Sequence, residues 1–249
     1  MKTFVKKLIY SMSICCIFCA CNNELEESSN QSNSPKETTM SFIYDGKLYM
    51  SQCLETEDTT IILDKSTKLI ADKLSTLPRL TTIVPPDPEK PIIYFDTPED
   101  ADKYLNWTDD PSSSNITKAV SFLGLFVTLY EDKNLGGWRI FNNIPYGNFV
   151  EEWGLGSKNE KISSLDLFLS VGSDYPGLDT SSKVGAVKLF EDKYYGGNSI
   201  YFYTTIKQPT SIVRNLKDFP LYPGSKRNWG DKTCSFKAGI KELNDLPNW

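Results

Sequence analysis

Residues Val127 to Phe141 read VTLYEDKNLGGWRIF, and residues Val187 to Tyr201 read VKLFEDKYYGGNSIY. The two stretches align without gaps at an offset of 60, with eight of fifteen positions identical. A repeated unit that cannot bury its apolar side alone implies that the copies pack together. Each copy reads as a strand, a turn and a second strand. Val127 and Leu129 in the first copy, and Val187 and Leu189 in the second, alternate as the inward residues of a strand. In each copy an aromatic residue, Tyr130 or Phe190, is followed five positions later by Leu135 or Tyr195 and seven positions later by Gly137 or Gly197. Glycine suits a hairpin that folds back on itself, because it takes positive φ and admits close backbone approach at least cost.

After further loop and strand sequence, each copy leads to a six-residue polar motif ending in serine: NEKISS at Asn159–Ser164 and GDKTCS at Gly230–Ser235. With the hairpins and these motifs in order, residues 120–239 resemble the βγ-crystallin family. The resemblance implies two Greek-key motifs packed as one β-sandwich. Tyr130 and Phe190 would cover the folded hairpins with apolar area. Ser164 and Ser235, on the fourth strand of each motif, would bond back to backbone groups that the hairpin leaves unpaired.

In microbial members of that family the six-residue element is similar to a calcium-binding element: acid or amide twice, two free positions, serine or threonine, then serine. Calcium favours hard oxygen ligands. The resemblance implies two sites on one edge of the sandwich, with carbonyls from Glu131 and Glu191 and from Lys161 and Lys232. Side chains would come from the second and fifth motif positions, Glu160 with Ser163 and Asp231 with Cys234. Three positions depart from the pattern. Glu160 is one methylene longer than the usual residue, Gly230 replaces an acid or amide, and Cys234 supplies a soft thiol that suits calcium poorly. If the second and fifth positions pair across motifs, Asp231 joins Ser163 in one competent site, and Glu160 joins Cys234 in a degenerate one. If they do not cross, both sites are weak.

The N-terminal end differs from the rest. Lys2, Lys6 and Lys7 precede an apolar run, Leu8–Phe18, too short to span a bilayer comfortably but suited to a signal peptide. It ends at Phe18-Cys19-Ala20-Cys21, which resembles a bacterial lipobox with an unusually bulky Phe18. The alternative is an ordinary cleaved signal with an incidental cysteine. The lipobox reading gives a signal peptide at 1–20, acylation of Cys21, and a partner in the lipid bilayer. Residues 21–39, rich in Ser, Asn and Glu, read as a flexible stalk. Glu24, Glu26 and Glu27 resemble the surface-export signal of some Bacteroidetes lipoproteins. The expected location is the bacterial outer membrane, on its surface or periplasmic face.

Residues 40–105 read as a small α+β domain. Asp45-Gly46 between apolar stretches signals a hairpin. Strands are expected at Thr59–Leu63, Leu80–Val84 and Ile92–Phe95. One helix is expected from Lys68 to Leu77, and a second is capped by Thr97 with Pro98 at its first position and runs to about Leu105. Residues 106–118 have linker composition, 119–239 form the crystallin-like domain, and 240–249 form a tail. The fold class is therefore mainly β, a C-terminal βγ-crystallin-like Greek-key sandwich preceded by a small α+β domain and a disordered lipoprotein stalk.

Composition narrows function. The chain has no histidine, which removes Ser-His-Asp and Cys-His catalysis and histidine-ligated metals. No carboxylate pair stands out by spacing, so a non-catalytic protein is expected. Without residues 1–20, which carry three lysines and no acid, 24 basic side chains face 32 acidic ones, a net charge of −8. That charge disfavours nucleic acid as a partner. Cys53 and Cys234, the cysteines beyond Cys21, read as two buried thiols or as one bridge. Calcium binding leads the functional readings. The alternatives are a glycan-binding or adhesive module, with Trp107, Trp138, Trp153, Trp229 or Trp249 as stacking surfaces, and a protease inhibitor or antagonistic toxin presenting the loop Thr204–Asn228.

Overall fold

The Asp-Gly pair turns the chain as a two-residue hairpin, with Asp45 at φ 51° and Gly46 at φ 67°. In the computed structural model, residues 35–105, 123–172 and 183–242 are described. The signal segment, Cys21, the linker 106–118, Trp107 and Trp249 lie outside them. The hairpin strands β1 (Lys36–Tyr44) and β2 (Lys47–Glu55) are longer than their apolar centres suggest. The strand begins inside the expected stalk, because Thr38 and Thr39 find backbone partners opposite Cys53 and Gln52. Strand β3 (Thr60–Ile62) adds to β2. Helix α1 (Lys65–Ser75) starts earlier than its apolar spacing indicates, since the Asp64 carboxylate accepts a hydrogen bond from Thr67 N and caps it. Strands β4 (Thr81–Val84) and β5 (Ile92–Phe95) follow. Helix α2 (Pro98–Tyr104) is capped by Thr97, whose hydroxyl accepts from Asp100 N.

The first Greek key comprises β6 (Leu123–Asp132), β7 (Gly136–Pro145), β8 (Phe149–Glu152) and β9 (Ser164–Val171). The second comprises β10 (Lys183–Phe190), β11 (Ser199–Thr205), β12 (Thr210–Val213) and β13 (Ser235–Glu242). The two keys exchange their third strands. β8 pairs with β13 of the second key, and β12 pairs with β9 of the first. One sheet has the order β12-β9-β6-β7. The other contains β11-β10-β13-β8. Between them Leu125, Val127, Leu129, Leu165 and Leu167 meet Val187, Leu189, Ile200, Phe202 and Phe236 in one core. Strand β13 runs past the expected domain end at 239 into the expected tail, because its last residues pair with β10. The loop 204–228 is in part strand β12, not a free loop.

The N-terminal α+β segment continues the second sheet. β4 lies parallel to β11, from Thr81 opposite Ser199 to Val84 opposite Phe202. The sheet therefore reads β3-β2-β1-β5-β4-β11-β10-β13-β8. The Thr81 and Ser199 hydroxyls lie 2.9 Å apart in this seam. Ala101 and Leu105 join Ile83, Ile93, Val184, Ala186, Tyr201 and Tyr203 in a second core on the outer face of β10 and β11. Those strands are thus covered on both faces. On that outer face the buried Lys188 ammonium lies 3.0 and 3.1 Å from the two Asp102 oxygens, and it sits 4.6 Å from the centre of the Tyr201 ring. The Tyr201 hydroxyl also donates to Asp102. The described residues form one compact unit.

Candidate metal-binding rim

The folded hairpins are built alike. Asn134 and Leu135 take φ of 59° and 63°, and Tyr194 and Tyr195 take 57° and 62°. Glycine follows because two constraints meet. Gly137 lies at φ +74°, and a Cβ on it would come 2.8 Å from Glu131 Cβ. Gly197 lies at φ +69°, and a Cβ on it would come 2.8 Å from Asp192 Oδ2. A serine latches each hairpin. Ser164 Oγ donates to Asp132 O at 2.5 Å and accepts from Leu135 N at 3.0 Å. Ser235 Oγ donates to Asp192 O at 2.7 Å and accepts from Tyr195 N at 3.2 Å. Both serines are fully buried, so each latch meets groups that water cannot reach. Phe190 is buried against Tyr195, with ring centres 5.4 Å apart. Tyr130 is half-buried, and its hydroxyl donates to Asp166 at 3.0 Å. Burial, and then the Asp166 carboxylate, push the Tyr130 phenol above its ordinary range.

The six-residue motifs meet each other at the edge of the sandwich. Glu160 N donates to Thr233 O at 2.9 Å, and Asp231 N donates to Ile162 O at 3.1 Å. Each motif is also tied to the hairpin of its own key: Ser163 N donates to Tyr130 O and Cys234 N to Phe190 O, both at 2.9 Å. Glu160 and Asp231 both sit at φ 56°, a turned backbone that aims each side chain across to the other motif. The partners therefore cross. Ser163 Oγ donates to Asp231 Oδ1 at 2.5 Å. Glu160 Oε1 lies 4.0 Å from Cys234 Sγ.

The two halves of the rim differ chemically. The first brings a hydroxyl and a carboxylate together, those of Ser163 and Asp231. Among the described residues no hydrogen bond ends on the Lys161 or Lys232 carbonyl. This donor set is all oxygen and fits calcium. The second half offers a thiol in place of the hydroxyl. Burial, followed by the negative charges of Glu160 and Asp192, raises the Cys234 thiol above its ordinary range and keeps it protonated. The Glu191 carboxylate is held by Asn198 Nδ2 at 2.9 Å and pairs with Arg227 at 3.4 Å. A neutral thiol in the place of a hydroxyl fits calcium poorly. Among the described residues no three His, Cys, Asp or Glu side chains gather as a metal cluster. Any ion on this rim would therefore depend on backbone carbonyls.

The sequence marks the loop Thr204–Asn228 only as a presenting loop of an inhibitor or toxin, not as the segment that backs the first half of the rim. Leu216 N donates to Ser163 O at 2.8 Å, and Lys217 Nζ lies 3.9 Å from Asp231 Oδ2. The only signal of that backing role in the sequence is Gly230, where the motif expects an acid or amide. Of the aromatic candidates, Trp229 is fully buried, and Trp138 is half-buried with Lys158 Nζ 4.7 Å above its ring. Trp153 is 57% exposed and stacks on Tyr194 at 5.2 Å. Cys53 and Cys234 are separate buried thiols.

Exchanged third strands, paired glycine hairpins and serine latches make the C-terminal half a βγ-crystallin-like Greek-key sandwich. It is similar to a βγ-crystallin from an archaeon, at 20% identity over 45% of this chain and 94% of that one, with a TM-score of 0.27. It is also similar to the βγ-crystallin of Ciona intestinalis, at 18% identity over 47% of this chain and 99% of that one, with a TM-score of 0.26. The strand exchange and the latches, rather than these values, define the fold. No family model and no curated protein matches the chain.

Proposed function

We propose that this chain is a non-catalytic lipoprotein, held by an acyl group on Cys21 at the bacterial outer membrane, whose Greek-key sandwich binds one calcium ion on its rim. The observation that carries the calcium reading is the crossed pairing, Ser163 Oγ on Asp231 at 2.5 Å against Glu160 on Cys234 at 4.0 Å. Crossing concentrates both damaging substitutions in one half and leaves the other with oxygen donors alone. Asp231 and Ser163 would hold the ion by side chain, and backbone carbonyls of the motifs and hairpins would complete its shell. The ion would tie the two keys together. Because it would bind the folded chain only, calcium at 100 times its dissociation constant should add about 2.7 kcal/mol to stability.

Titration calorimetry of the mature chain should give a calcium stoichiometry near one, and Ser163→Ala should weaken binding at least roughly tenfold by removing a ligand. Two sites, no heat, or an unaffected Ser163→Ala would contradict the reading. The tether is supported by the lipobox-like run before Cys21 and the polar stretch behind it. Cells fed labelled palmitate should label the wild-type chain and not Cys21→Ser. Label retained by the variant, or absent from the wild type, removes the anchor.

A further inference from the structure

The rim has an approximate twofold symmetry, and the symmetry locates an anomaly. Ser163 O accepts from Leu216 N at 2.8 Å, just as Cys234 O accepts from Leu155 N at 3.0 Å. Asn134 N donates to Arg214 O at 2.7 Å, just as Tyr194 N donates to Trp153 O at 2.8 Å. Leu216 is thus the counterpart of Leu155, and the next residues, Lys217 and Gly156, are counterparts. A short 3-10 turn lies at this place in each half, Leu216–Asp218 in one and Gly156–Lys158 in the other, one position out of step. In the motifs, Gly230 is the counterpart of Asn159. The two halves differ here: Gly156 takes φ +60° and a Cβ on it would meet nothing within 4 Å, whereas Lys217 lies against Gly230.

The contact at Gly230 has a steric cause. Gly230 is not among the residues with positive φ, so its backbone does not require glycine. Its missing side chain makes room instead. A Cβ on Gly230 would lie 2.4 Å from Lys217 Cγ and 2.9 Å from Lys217 Cε. The lysine stem lies across the motif in the space that a side chain would fill. Its ammonium ends 3.9 Å from Asp231 Oδ2, while Ser163 engages Oδ1 of the same carboxylate at 2.5 Å. At Asn159 the equivalent side chain is present and turned inward, where its carbonyl accepts from Leu155 N at 2.9 Å.

We infer that Lys217 is a tethered cation that competes with calcium for Asp231, and that Gly230 is the notch that admits it. This inference rests on the calcium reading above. A single positive charge beside the carboxylate opposes the arrival of a divalent ion, and because the pair is half exposed, salt screens the effect. The rim would then respond to calcium only where calcium is plentiful.

Calcium chloride titrations of the mature chain at low ionic strength test this. Lys217→Ala should tighten binding roughly tenfold, and the gain should shrink at high salt. Lys217→Arg keeps a cation and should bind like the wild type. Lys103→Ala removes an exposed lysine of α2, 80% exposed, and controls for net charge; it should bind like the wild type. Gly230→Ala, which forces the stem off the motif, should also tighten binding, and should add nothing to Lys217→Ala. If the wild type binds and Lys217→Ala binds no tighter, the inference fails while the calcium site stands. If Lys103→Ala matches the gain, the effect is general charge and the inference fails. If neither the wild type nor Lys217→Ala binds, the calcium site itself is wrong and the inference falls with it.

Discussion

Replacing Asp102 with alanine is expected to lower the unfolding free energy by about 3 kcal/mol, the lower end of what breaking a buried ion pair removes. Lys188 is 3% exposed and projects from β10 toward α2, where both Asp102 oxygens lie within 3.1 Å. Without the carboxylate its ammonium loses both of these contacts and keeps the ring faces of Phe190 and Tyr201. The Tyr201 hydroxyl loses its acceptor at the same time. Asp102 itself is 22% exposed, so some water reaches the pair and tempers the loss. Urea denaturation should show a lower midpoint with an unchanged slope. The triple variant Asp102→Leu, Lys188→Met and Tyr201→Phe should recover most of the stability, because apolar groups of similar bulk need no compensation. A loss below about 1 kcal/mol in Asp102→Ala would mean that the pair does not fasten α2 to the sandwich.

Trp229→Ala should be more damaging still, by about 3–5 kcal/mol, the range for deleting a buried aromatic. The indole is fully buried in the sandwich core, and its backbone N–H is bonded to Phe219 O at 3.0 Å. Phe219 in turn meets Phe202 edge to face at 5.1 Å. Trp229→Phe should cost far less than its lost volume implies. Among the described residues the indole Nε1 has no hydrogen-bond partner, so the phenylalanine variant removes an unsatisfied buried donor along with the ring. Thermal unfolding of the three chains would order them wild type, Phe, then Ala, with the Phe variant close to the wild type. A Phe variant as unstable as the Ala variant would show that the nitrogen finds a partner in solution.

The crystallin-like half was legible because its determinants are local and doubled. Glycines that must take positive φ, latch serines and alternating valines and leucines all lie within one key, and each appears twice. The Asp45-Gly46 hairpin was legible for the same reason. The crossing of Ser163 with Asp231 was legible only as one of two options, since nothing in a single chain of letters says which motif faces which. Two features were not legible. Helix α1 was placed too late because Leu69, counted as part of its apolar stripe, is 70% exposed, while the buried residues are Thr67, Ala71 and Leu74. The seam between β4 and β11 left no trace. Parallel pairing between distant strands depends on backbone registry, which carries no periodic signature. The linker-like composition of 106–118 pointed to separation where a shared sheet exists. Lys217 escaped for a related reason: it lies in a loop, and its contact with Asp231 spans 14 positions without a pattern.

The seam also bears on how the polypeptide matures. Thr81 waits for Ser199, 118 positions later, before β4 acquires its neighbour. A nascent chain that emerges from its N-terminal end must carry an open strand edge until most of its length has been made. Such edges invite mispairing with other chains, and long-range closure slows folding. This molecule should therefore fold late and as a whole, and a ribosome stalled before residue 199 would present a half-formed sheet to any chaperone within reach.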